Sequence, residues 1–135
     1  IWYCAWFSLP SALYAYIHPE IYHLALVPAS VFTTSLLYWC NPIKQSWRRK
    51  LDITTVLTGA IYQTYYAFEY IYPIHPTAVF IYTSLFGISF ACYGLGHYYM
   101  ARGQIWRATY AHASIHLIAN VANMVLYTSK NNISR

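Results

Sequence analysis

Charge in this chain is confined to the gaps between long apolar runs. Of its eight Lys and Arg, six fall in two short stretches: Lys44, Arg48, Arg49 and Lys50, then Arg102 and Arg107. A charged side chain at mid-membrane costs roughly 2.5 kcal/mol or more, so a chain whose solvent is lipid keeps its charges in the connections. The composition agrees, with 59% hydrophobic residues, 8% charged residues and a mean hydropathy of +0.33.

Five apolar runs can be marked, at 2–17, 21–40, 51–72, 77–99 and 108–128. The links are 18–20, 41–50, 73–76 and 100–107, and short links make sequential runs antiparallel neighbours. The runs are continuous rather than strictly alternating, which argues for helices over a transmembrane barrel. The expectation is an all-α, polytopic transmembrane helix bundle of about five spans. It occupies 1–128 as a single unit, followed by a polar tail at 129–135.

Local signals punctuate the runs. Asn41 and Pro42 end the second, Pro73 ends the third, and Pro76 stands in a favourable starting position for the fourth. Pro10 and Pro28 lie inside runs and predict kinks. Run 2–17 has neither a basic flank nor a small-residue cleavage site, so it reads as structure rather than a cleavable signal peptide. Cys4, Cys40 and Cys92 show no paired spacing and behave as small hydrophobes.

Threading the runs alternately through a bilayer puts links 41–50 and 100–107 on one side, with six of the eight Lys and Arg. By the positive-inside rule that basic side faces the cytosol or matrix. The net charge of +5 therefore sets orientation. It does not mark a nucleic-acid partner, because no basic helix face with interleaved polar contacts exists. Membrane lipids, and other subunits of a membrane complex, are the partners this composition suggests.

The chain has sixteen Tyr and five Trp. Tyr38, Trp39, Trp47, Tyr70, Tyr72, Tyr98, Tyr99, Trp106, Tyr110 and Tyr127 lie near run ends, as an interfacial belt requires. Small residues in the fourth run, Ser84, Gly87, Ser89, Ala91, Gly94 and Gly96, suggest close backbone approach. They predict that this run is the most buried helix.

A few polar groups remain inside the apolar runs. Asp52 opens the third run directly after Arg48, Arg49 and Lys50; alone it reads as a helix N-terminal carboxylate. Ser35 alone reads as a packing hydroxyl bonded back to a carbonyl. His112 and His116, four apart, share one helix face, which Asn120 continues beside Asn123. Such a stripe is either an interhelical hydrogen-bond network or a metal or catalytic site. Alternation brings Ser35, Asp52, His97, His112 and His116 into one leaflet near the basic side. Gln63 follows Asp52 on one face at spacing 52, 55, 59, 63.

The order of these groups resembles the CREST superfamily of integral-membrane hydrolases, which includes alkaline ceramidases and the progestin and adiponectin receptors. That pattern has a Ser followed four residues later by a His, an Asp opening the next helix, and a His-x-x-x-His pair on the last one. Ser35-Leu-Leu-Tyr-Trp39, Asp52 in Arg-Lys-Leu-Asp, and His112-Ala-Ser-Ile-His116 are similar to those elements. The resemblance implies a zinc ion held by three His, with the Ser and Asp assisting its bound water. The chain departs from the pattern in two ways: Trp39 stands where the first zinc His should be, and five runs replace seven helices. His97 is a candidate replacement ligand beside His112 and His116.

Two readings follow. One is a non-catalytic polytopic subunit of a larger membrane assembly, its Ser, Asp and His groups forming a buried polar cluster. The other is a zinc-dependent lipid amide or ester hydrolase, with Ser35 and Asp52 as catalytic groups.

Overall fold

The computed structural model describes residues 2–43 and 45–131, leaving Ile1, Lys44 and residues 132–135, with Arg135, outside the described part. All the regular structure in it is helical. Five α-helices form: α1 (Leu9–Ile17), α2 (Leu26–Trp39), α3 (Trp47–Tyr66), α4 (Pro76–Ala101) and α5 (Ile105–Asn131). They match the five apolar runs in order. One of them, α4, is long and apolar enough to cross a membrane by length and composition.

Proline and serine chemistry explains where the helices begin. A 3-10 segment, Trp2–Ser8, precedes α1, and Pro10 falls in the opening turn of α1, where a missing N–H costs no helical bond. Another 3-10 segment, Tyr22–Ala25, leads into α2, and Pro28 sits in that helix's first turn. The two internal prolines thus mark 3-10 to α junctions rather than mid-helix kinks. Ser46 caps α3, its Oγ accepting from the Arg49 N–H at 3.3 Å. That cap places Arg48, Arg49 and Lys50 inside the first turn of α3 and puts Asp52 in the second.

The other helix ends are equally specific. Tyr66 is followed by a π-helical turn, Ala67–Ile71, with a wide Tyr72 N–H to Ala67 C=O bond of 2.8 Å. Pro76 then starts α4, with His75 as its cap. Between α4 and α5 the chain reverses through Gly103 at φ +71°. Its N–H donates to Met100 C=O at 3.0 Å, and the Gln104 N–H donates to Tyr99 C=O at 2.9 Å. This paired closure needs a left-handed residue, and glycine carries no Cβ penalty there.

The bundle is filled unevenly. Its apolar core gathers Ile21 and Leu24, Tyr66 and Ile71, Val79 and Tyr82, and Leu126 and Tyr127. These come from the start of the second helical run, the end of the third, the start of α4 and the end of α5. The other end of the bundle, where Trp39, Arg49, His97 and Ala108 lie, is hollow. There polar groups such as Ser35, Asp52 and His112 stand among apolar side chains that do not close the space between the helices.

The small residues of α4 correct an expectation. Only 17% of its apolar window is buried within the chain, so α4 is a peripheral helix and not the central one. The reason is rotational. Val79, Tyr82 and Ser89 face inward, whereas Ser84, Gly87, Ala91 and Gly94 face out. Gly96 alone meets α5 closely, its virtual Cβ lying 3.7 Å from Ala111 Cβ and from the Ala108 carbonyl.

The close approach that does hold the bundle lies between α2 and α3. A Cβ added at Gly59 would stand 2.6 Å from Val27 Cγ1. Valine in a helix has one strongly preferred χ1 rotamer, so that methyl cannot swing aside. Gly59→Ala is therefore expected to destabilise the protein by about 1–3 kcal/mol through overpacking. Gly87→Ala, with nothing within 4 Å of its added methyl, should leave stability unchanged or raised. Thermal unfolding of the two purified variants checks this contrast.

Candidate functional site

A polar cluster lines the hollow end, and its centre is Asp52. Asp52 Oδ1 accepts from Ser35 Oγ at 2.7 Å and from Thr34 Oγ1 at 3.0 Å. Ser35 is 1% exposed, so its hydroxyl is committed inward. The two hydroxyls come from the last half of α2 and the carboxylate from the second turn of α3. The bonds therefore clamp the two helices beside the link that joins them. A hydrogen bond to a charged group contributes about 1.5–3 kcal/mol net, more than a neutral one. Ser35 is thus not a back-bonded packing hydroxyl, and Asp52 is held by side chains rather than by its own helix terminus.

His112 and His116 face the same space from α5. Their Nε2 atoms lie 3.3 Å apart and the ring centroids 5.1 Å, so one Nε2–H donates to the other ring. The helical i, i+4 spacing produces this contact. Trp39 packs edge-on against His112, with centroids 4.9 Å apart. His97 is exposed and stands edge-on to Tyr93 at 4.6 Å.

Two adjoining cavities relate these groups. The inner one, about 340 Å³, is lined by Ser35, Asp52, Gln63, His112, His116 and Asn123 together with apolar side chains. The outer one, about 380 Å³, is lined by Trp39, Arg49, Asp52, His97 and His112. Asp52 and His112 border both. Of the five candidate residues, Ser35, Asp52, His112 and His116 thus share the inner cavity, and His97 joins Asp52 and His112 only at the outer one.

Zinc does not fit the set. Among the described residues, no group of three His, Cys, Asp or Glu side chains is placed to hold a metal ion. Trp39, at the position of the missing histidine, abuts His112 with an indole whose N–H donates and has no lone pair to offer. What remains is a pair of imidazoles.

Deeper ties run along α5 in the same stripe. Asn120 Oδ1 accepts from the Ser11 N–H at 3.2 Å. Ser11 lies in the first turn of α1, where backbone N–H groups lack helical acceptors, so α5 supplies one. Tyr127 OH accepts from Gln63 Nε2 and donates to Leu24 C=O at 3.2 Å. Leu24 stands four residues before Pro28, which has no N–H to offer its carbonyl. The buried phenol fills that gap.

Sequence reasoning placed Tyr127, like Tyr38, in the interfacial belt; both are buried. Trp47, Tyr70, Tyr72, Tyr98, Trp106 and Tyr110 are exposed. The spacing 112, 116, 120, 123, 127 was the available signal for Tyr127. Thr34 was also missed, and nothing in its spacing separates it from Ser35.

No protein-family model, no curated protein and no solved structure matches the chain.

The Tyr127 ties generate a prediction. Tyr127→Phe keeps the ring but strands the Leu24 carbonyl and the Gln63 amide, and should cost about 1–3 kcal/mol of stability. Tyr98→Phe, at an exposed tyrosine, should cost nothing measurable in the same denaturation experiment.

Proposed function

We infer that the chain is a polytopic integral-membrane protein without catalytic activity, serving as an accessory or structural subunit of a larger membrane assembly. Its Ser, Asp and His groups act as an internal clamp. The observation that carries this reading is where the polar capacity goes. Ser35 and Thr34 donate to Asp52, His112 pairs with His116, and Trp39 occupies the flank of His112. Groups spent on one another fix helix order, which is what buried polar contacts in a lipid-solvated bundle do.

The outer surface supports the membrane assignment. Large apolar side chains stand exposed around the bundle, among them Leu26, Leu57, Ile61, Phe80, Ile88 and Leu117. The gathering of Arg48, Arg49, Lys50, Arg102 and Arg107 at one end of the bundle, with Lys130 the one described Lys or Arg at the other, agrees. The outward face of α4 supports a role among other subunits. Gly87 and Gly94 there meet nothing within 4 Å, a surface that a second helix can approach closely.

The resemblance to the CREST hydrolases enters as an ancestral explanation for the clamp. The order of Ser35, Asp52, His112 and His116 is kept, while the third metal ligand is replaced by Trp39.

Two measurements test this. The protein should resist alkaline carbonate extraction and be released only by detergent; release by carbonate would contradict the membrane assignment. Purified wild type should hold zinc well below one atom per chain by elemental analysis, whereas Trp39→His should raise it toward one. Stoichiometric zinc in the wild type would overturn the clamp reading in favour of the hydrolase.

A further inference from the structure

The clamp uses one oxygen of its carboxylate and leaves the other free. Asp52 Oδ1 takes the hydroxyls of Ser35 and Thr34, and among the described residues Asp52 forms no ion pair. Oδ2 makes no hydrogen bond, yet it is not sealed: the unpartnered buried side-chain atoms among the described residues are Trp39 Nε1 and Asn123 Oδ1. Asp52 borders both cavities, so its free oxygen is open to them.

A carboxylate screened from water carries a desolvation cost that an opposite charge relieves. The neighbouring basic residues do not supply that charge. Arg48 lies over the Trp47 ring with Nη1 3.8 Å from Cys40 Sγ, and Lys50 is exposed. Arg102 and Arg107 lie over Tyr98 and Tyr99. Arg49 borders the outer cavity only, which disfavours a cation there. Around the inner cavity, Asp52 is the one Asp, Glu, Lys or Arg. His112 and His116 share an Nε2–Nε2 hydrogen bond, in which the accepting ring is uncharged.

Most of the remaining wall is apolar or aromatic. Phe86, Phe90 and Tyr93 line it from one face of α4, and Val56 and Leu57 line it from α3. Leu57 and Phe90 are also exposed, so the cavity is entered from the flank of the bundle between those helices. An aromatic face attracts a cation, and a carboxylate oxygen accepts strongly from a charged N–H. We propose that the inner cavity binds a compact organic ammonium ion, with Asp52 Oδ2 accepting from its N–H groups and the α4 rings packing against its apolar body. Its volume of about 340 Å³ lies at the small end of ligand pockets, which suits a short aryl- or alkylammonium. A hydrated inorganic cation suits it less, because apolar walls cannot replace a water shell. Ser35 and Thr34 thereby gain a second use, fixing the carboxylate that meets the guest. The site rests on the carboxylate and its cavity, and not on the membrane assignment.

Isothermal titration calorimetry of the purified full chain at neutral pH tests the proposal, with binding to protein-free detergent micelles subtracted. The probes are 2-phenylethylammonium and 2-phenylethanol, which share a body and differ in the charged head. The ammonium should bind at one molecule per chain, about tenfold more tightly than the alcohol, as a charge-assisted contact predicts. Asp52→Asn keeps the acceptor for Ser35 and Thr34 and should abolish that preference. Glu69→Gln, at an exposed carboxylate in the π-helical turn, changes net charge equally and should leave the preference intact. Equal binding of the two probes to wild type overturns the proposal, as does a loss in Glu69→Gln matching that in Asp52→Asn. Methylammonium carries the charge without the apolar body and should bind at least tenfold more weakly than 2-phenylethylammonium. Equal affinity of the two ammonium ions would make this a bare cation site and overturn the organic guest. If Asp52→Asn fails to fold, the three probes on wild type and Glu69→Gln still decide the outcome.

Discussion

The carboxylate of Asp52, held by the hydroxyls of Ser35 and Thr34, is the contact on which the hollow end of the bundle depends. The opposite end closes with Ile21, Leu24, Ile71, Tyr82 and Leu126, all buried. Such packing is non-directional and contributes in proportion to the area covered. At the Asp52 end the inward side chains leave two cavities, so packing cannot set the spacing of the helices. A directional, charge-assisted bond does so instead. The close contact of Gly59 with Val27 continues the same α2–α3 seam toward the filled end.

The remaining polar ties follow from backbone accounting. Each helix start leaves N–H groups without acceptors, and each proline leaves a carbonyl without its helical donor. Asn120 serves the first kind of defect at Ser11, and Tyr127 serves the second at Leu24. Both reside on α5, which thereby contacts the first two helical runs through hydrogen bonds and α4 through close backbone approach at Gly96. One helix with a polar stripe thus organises the others.

Much of this was legible in the chain itself. The five runs and their order can be read from where the charges and prolines fall, and their ends agree within a few residues once the 3-10 segments Trp2–Ser8 and Tyr22–Ala25 and the π turn Ala67–Ile71 are counted with their helices. α3 starts four residues before the apolar run does, because Ser46 caps a helix that opens on arginines and lysine, which charge alone assigns to a loop. The convergence of Ser35, Asp52, His112 and His116 on one cavity followed from alternation of direction and the i, i+4 rule. Rotation of a helix about its own axis was not legible where both faces are apolar. This is why the small residues of α4 point to the wrong degree of burial and why position alone puts Tyr127 in the interfacial belt. His97 illustrates the same limit: its height was right, but its ring turns toward Tyr93 and the outer cavity.

The central claim is that Asp52 clamps α2 to α3 through Ser35, and a double-mutant cycle measures that contact directly. Stabilities of wild type, Ser35→Ala, Asp52→Asn and the double variant are compared by equilibrium denaturation. Residues in direct hydrogen-bonded contact should show a coupling of about 0.5–3 kcal/mol, with the double variant losing less than the sum of the singles. Strict additivity of the two losses would contradict the clamp and the arrangement of the hollow end built upon it.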